Sequence, residues 1–148
     1  ADLAEEVLDI FKDLYDIDYP IQSVRLIDEF NDLQTDEFNE LDKASMGYNN
    51  TSAFCYRAMN SSGTLSKHAL GRAIDLNPLI NPFVKSGGYF SPPNAGKYVN
   101  RKSTELSEIE DRAMIRKGDQ VYNIFISRGW RWGCEIWSGT YDYQHFQK

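Results

Sequence analysis

A chain of 148 residues is long enough for one domain with a real core and short for two, so residues 1–148 read as a single domain. With 41% hydrophobic and 26% charged residues the composition is that of an ordinary globular protein. The net charge of −6 argues against nucleic acid as a partner, because phosphate contacts need a basic patch. No run approaches the roughly 18 apolar residues of a membrane span. The chain opens at Ala1 with no initiator methionine and no signal peptide, which reads as a trimmed form whose export signal or anchor is absent.

Leu3, Val7, Ile10, Phe11 and Leu14 recur at three- and four-residue spacing, which predicts an amphipathic helix over 2–15, broken before Pro20. "SVRLI" (23–27) reads as a short strand. The acid-rich stretch from Asp28 to Asp42 resembles a calcium loop only superficially, since Leu33 stands where the sharp turn needs glycine; it reads as a solvated loop followed by a short helix. "TSAFCYR" (51–57) is a strand candidate and "NSSGTLS" (60–66) a loop. "AIDL" (73–76) alternates, placing Ala73 and Asp75 on one face and Ile74 and Leu76 on the other. Prolines and glycines between Asn77 and Lys102 mark a long irregular excursion. "DQVYNIFISRG" (119–129) is a helix with Asp119 as N-cap and Gly129 as stop, and the aromatic tail from Trp130 reads as one or two strands. Trp130, Trp132 and Trp137 suit either a cleft wall or the core. Cys55 and Cys134 permit one disulfide or stand as two small thiols. The pattern is α+β, with helices packed on a small antiparallel sheet.

The chemistry concentrates in "SKHALGRAID", residues 66–75, and in the last histidine. The chain has only two histidines, His68 and His145. A catalytic zinc site takes three nitrogen or oxygen ligands and keeps one position open for water, a set that His68, Asp75 and His145 can supply. Gly71 allows the turn between the first two, and small Ala73 leaves room on the face of Asp75. From spacing alone, a hydrogen-bonded surface pair is the commoner reading of a histidine near an aspartate.

"SKHALGRAIDLNP" resembles the Ser-x-His-x-x-Gly-x-Ala-x-Asp pattern of the zinc D-alanyl-D-alanine carboxypeptidases and L-alanyl-D-glutamate peptidases, which include the vancomycin-resistance D,D-peptidases. The second motif of that family, an acid, two residues and a histidine, has its counterpart in "DYQHF" (142–146). The similarity runs from about Thr51 to the end. It implies a Zn2+ site of His68, Asp75 and His145, with Asp142 as general base and Arg57 steadying the oxyanion. Ser66 takes a supporting or substrate-touching role, or that of a turn serine. The resemblance implies a hydrolase of peptidoglycan stem peptides or muropeptides, acting in the cell wall, periplasm or outside the cell; the sequence leaves the oligomeric state open, with a monomer the simplest expectation. Asp142 stands where many relatives carry glutamate, Gln144 where many carry proline, and Cys134 and Glu135 where glycine and aspartate are common. In a regular strand Asp142 and His145 point to opposite faces, so "DYQH" must bend or Asp142 must precede the strand.

The competing reading is a non-catalytic cell-wall-binding or structural domain on the same scaffold. A serine or cysteine hydrolase is remote, because neither histidine lies near a nucleophile-elbow pattern such as G-x-S-x-G.

Overall fold

The apolar stripe of the N-terminal segment folds as α1 (Ala4–Asp16), and its inner face buries Ile10 and Leu14. The helix ends before Asp18, whose φ of 54° turns the chain toward Pro20. In the computed structural model the described residues are 2–33, 38–59, 63–102 and 104–148. Among them no helix is long and apolar enough to cross a membrane.

After α1 come β1 (Ser23–Val24), a 3-10 turn (Ile27–Leu33), α2 (Phe38–Gly47) and β2 (Asn50–Thr51). The next elements are β3 (Ala73–Asp75), β4 (Phe83–Lys85), β5 (Phe90–Ser91), α3 (Gly96–Val99), α4 (Glu108–Ala113) and α5 (Gln120–Ile126). The chain closes with β6 (Arg131–Trp132), β7 (Thr140–Asp142) and β8 (His145–Gln147). Two three-stranded antiparallel sheets form, in the orders β3-β8-β6 and β5-β4-β7, beside a parallel pair of β1 with β2. The architecture is α+β.

One face of the β3-β8-β6 sheet meets the helices. Ile74 of β3, Phe146 of β8 and Trp132 of β6 join Ile10 and Leu14 of α1 and Val121 and Phe125 of α5 in one core. The rings of Phe125 and Phe146 stack with centroids 4.0 Å apart. Emptying either position costs about 3–5 kcal/mol, the usual loss for a buried phenylalanine. Because strand side chains alternate, anchoring Ile74 and Phe146 in this core sends Asp75, His145 and Gln147 to the opposite face.

Several expected elements differ from what forms. Only Ser23–Val24 of the "SVRLI" strand pairs; Leu26 is exposed, and Ile27 opens the 3-10 turn. The solvated loop expected after Asp28 is that turn as far as Leu33, and residues 34–37 lie outside the described residues. The helix expected after it is α2. "TSAFCYR" pairs only at its start: Ser52 bridges Asp75, and residues 53–57 run on without a ladder. Residues 60–62 of the expected "NSSGTLS" loop are likewise outside the described residues. The irregular excursion after Asn77 contains the β4-β5 hairpin, whose tip uses Gly87 and Gly88 at φ of 100° and 90°. Arg101 pins the excursion, donating to the carbonyl oxygens of Ile80 and Ile115 and to Asn81 Oδ1.

Candidate active site

The short stretch that carries His68 is built to turn. Ser66 Oγ accepts from the Ala69 N–H at 3.1 Å, Gly71 N–H donates to the His68 carbonyl at 3.0 Å, and Arg72 N–H donates to that of Lys67 at 2.8 Å. Gly71 sits at φ +65°, which a side chain would strain. The chain then enters β3, where Asp75 exchanges both backbone hydrogen bonds with Ser52. Asp75 therefore faces His145 of β8 as a non-hydrogen-bonded pair, the kind whose side chains approach most closely.

One ligand atom from each of His68, Asp75 and His145 lies within 4.8 Å of the other two, and all three residues are buried. His145 Nδ1 is 2.9 Å from Asp75 Oδ1, His68 Nε2 is 3.3 Å from Asp75 Oδ2, and the two imidazoles approach to 3.2 Å. Each ring is aimed by its other nitrogen. His68 Nδ1 lies 2.8 Å from the Ala53 carbonyl, which can only accept, so the proton sits on Nδ1 and the Nε2 lone pair faces the cluster. His145 Nε2 makes the equivalent contact with Gln147 Oε1 at 3.0 Å, freeing Nδ1. Two imidazole nitrogens and a carboxylate suit zinc, and the tautomers point their lone pairs the right way. The electrostatics agree. Burial works against a charged His145, but the Asp75 hydrogen bond and charge, with Asp142 adding, raise its pKa to about 9. Burial pushes Asp75 upward, and the two imidazoles more than reverse this, holding it far below the carboxylate range. The cluster thus attracts positive charge.

Asp142 closes β7 and His145 opens β8, with Tyr143 and Gln144 as the bend between sheets. That bend lets both side chains reach one cavity despite their odd spacing. Gly133 makes it possible: a Cβ there would lie 2.6 Å from the Asp142 carbonyl oxygen and 2.7 Å from Asp142 Cβ. The sequence reading missed this glycine, and its only signal was a small residue inside an aromatic run. Burial raises Asp142 to about 6, opposed by the charge on His145 and a hydrogen bond from Gln144. Asp142 Oδ1 has no partner.

The cavity holds about 380 Å³ and is lined by Ser66, His68, Asp75, Asp142 and His145 together with Arg57. Arg57 Nε stands 3.0 Å from Asp42 Oδ2 of α2. The structure thus brings every sequence-predicted site residue to one cavity. Lys67 also lines it, whereas Arg72 pairs with Asp2 at 3.7 Å. Glu135 is committed to Lys117 at 2.7 Å and is not among the lining residues. The tryptophans divide: Trp130 and Trp132 are core, while Trp137 lines the cavity with its ring 5.7 Å from that of His145. Cys55 and Cys134 are not joined in a disulfide, and burial pushes both thiol pKa values up, Cys55 to about 12. Asp42, Met46 and Lys85 are lining residues that carried no readable signal, because nothing local in the sequence brings them to the cavity.

A profile of the D-alanyl-D-alanine carboxypeptidase family matches residues 60–148, which include both motifs and exclude Arg57 and Asp42. Searches of curated proteins and of solved structures gave no match. With more than half its length matched and both motifs in one cavity, the chain belongs to the D-alanyl-D-alanine carboxypeptidase family of peptidases.

Proposed function

We propose that residues 1–148 are one catalytic domain, a zinc-dependent peptidase that hydrolyses peptidoglycan stem peptides outside the cytoplasm. The observation that carries this reading is the convergence of three aimed ligand atoms beside a buried carboxylate with one unpartnered oxygen in one cavity. His68 Nε2, Asp75 and His145 Nδ1 hold the metal. Zinc bound by such a set lowers the pKa of water towards 7 and polarises a carbonyl.

Asp142 accepts the proton of the attacking water and returns it to the leaving amine; such acid–base catalysis is typically worth about 10²–10⁴-fold. Arg57 donates to the oxygen on which negative charge develops, a contribution of about 2.7–4 kcal/mol where one such donor has been removed. Ser66 acts through the turn it caps, holding His68 in place. Trp137 and Phe83 give the cavity apolar wall.

Two bonds in the stem peptide are candidates: the terminal D-alanyl-D-alanine bond and the L-alanyl-D-glutamate bond. The aspartate at the base position leans towards the endopeptidase. Incubating zinc-loaded protein with purified muropeptides and weighing the products tests this. Release of a single terminal D-alanine reverses the lean, and no cleavage of any stem peptide overturns the function.

A further inference from the structure

Arg57 lies before the segment that the family profile matches, and so does its ion-pair partner Asp42. Its guanidinium does not stand alone in the cavity wall. Asp42 reaches it from α2 at 3.0 Å through Nε, and the side chains are only 22% and 10% exposed. The contact at Nε is an ion pair without hydrogen-bond geometry, so it holds the cation by charge while Arg57 lines the cavity. Both partners are held close to their anchor points. Leu41, next to Asp42, packs with Cys55, two residues before Arg57, and with Ile27 in a small separate core. Met46, one helical turn beyond Asp42, also lines the cavity, so one face of α2 forms part of its wall.

The geometry points to Asp42 as a positioning residue that fixes the Arg57 guanidinium toward the reacting carbonyl, making α2 a working part of the active site. This inference rests on the reading of the site as a peptidase centre. A long arginine side chain has many rotamers, and a donor acts on a developing charge only if it is already in place. The buried carboxylate selects one orientation and balances the cation in a wall that excludes water. Asp42 does not touch substrate; it acts through Arg57.

A double-mutant cycle tests this, with phosphinate analogues of both the L-alanyl-D-glutamate and the D-alanyl-D-alanine bond offered and the one that wild type binds used as probe, because the tetrahedral anion mimics the charge that Arg57 is placed to meet. Affinity for the zinc-loaded protein is measured by calorimetry for wild type, Asp42→Asn, Arg57→Ala and the double variant, with melting temperatures as the folding control. Asp42→Asn is expected to weaken the phosphinate about tenfold, within the range of coupling between neighbouring residues, while zinc stoichiometry stays at that of wild type. On the Arg57→Ala background the same change should have no further effect, and Asp42→Glu should restore part of the loss. In turnover of a stem peptide, Asp42→Asn should lower kcat with KM little changed.

Full additivity of the two substitutions, or wild-type phosphinate affinity in a folded Asp42→Asn, overturns the inference and leaves the peptidase reading intact. Wild-type protein that takes up zinc yet binds neither phosphinate and cuts no stem peptide overturns the peptidase reading, and the inference with it.

Discussion

Two clusters of buried polar side chains meet around β3, and they are built on opposite principles. One consists of Asn49, Asn50, Asn77 and Asn81, all fully buried. Asn49 Oδ1 accepts from the backbone of Leu79 and Ile80, and its amide donates to Gln22. Asn50 ties Ser23 and Arg25 to Ser45, Asn77 donates to the Pro20 carbonyl, and Asn81 links Leu76, Ala113 and Ile115. Neutral donors and acceptors are matched there, and the cluster stitches the N-terminal residues to the rest of the chain. The other cluster, His68, Asp75 and His145, gathers lone pairs and charge on one point. Among the described residues four buried side-chain atoms lack a hydrogen-bond partner, and three of them, on Arg57, Asp142 and Gln144, belong to residues that line its cavity. Buried polar groups are normally satisfied, so a concentration of unsatisfied ones marks the place reserved for a ligand.

The largest way to break this contrast is His145→Ala. It should abolish zinc uptake and hydrolysis while leaving a folded protein, as read by metal analysis and circular dichroism. Zinc binding at wild-type strength would remove His145 from the ligand set. Next is Asp142→Asn, which should keep one zinc per chain and lose about 10²–10⁴-fold in turnover. Activity within a few-fold of wild type would move the base elsewhere.

Asn81→Ala attacks the other cluster. It strips partners from the Leu76 carbonyl and the Ile115 N–H, at about 1–3 kcal/mol for each buried group left unsatisfied, while the Ala113 carbonyl keeps the Tyr19 hydroxyl. Chemical denaturation should show a loss of about 3 kcal/mol or more, with zinc still bound stoichiometrically by the folded fraction. A loss of zinc without a loss of stability would invert the comparison.

The smallest effect lies outside both clusters, at the capping box of α4. Hydrogen bonds from Lys97, Tyr98 and the Ser107 backbone hold Glu110 down to about 2. A carboxylate with a depressed folded-state pKa contributes stability above its unfolded value, near 4.5, and loses it as pH falls towards 2. Glu110→Ala should therefore cost about 1 kcal/mol at pH 7 and almost nothing near pH 2, read from denaturation curves at both pH values.

How much of this was legible in the sequence follows from the same contrast. The convergence of His68, Asp75 and His145 could be read because turn chemistry at Gly71 and strand alternation at Ala73 to Leu76 are local rules, and because the two motifs are distinctive. α1 and α5 were legible from apolar spacing and the Asp119 cap, which accepts from the Tyr122 N–H at 2.7 Å. α4 escaped although Ser107 and Glu110 spell a capping box, since the helix is only six residues long and has little apolar periodicity. The asparagine cluster was invisible. Asn49 and Asn77 take φ of 56° and 42° and bond to partners 27 to 58 residues away, relations no local pattern encodes. The same holds for Asp42 and Gly133, whose roles exist only once α2 and the β7-β8 bend meet the cavity.

The most direct test of the ligand cluster is X-ray absorption at the zinc edge on protein loaded with one equivalent of zinc. Two imidazole nitrogens and light oxygen donors at about 2.0–2.2 Å, with no sulfur in the shell, are the expected result. A sulfur neighbour at about 2.3 Å, or a shell without histidine, would place the metal away from His68, Asp75 and His145 and contradict the site.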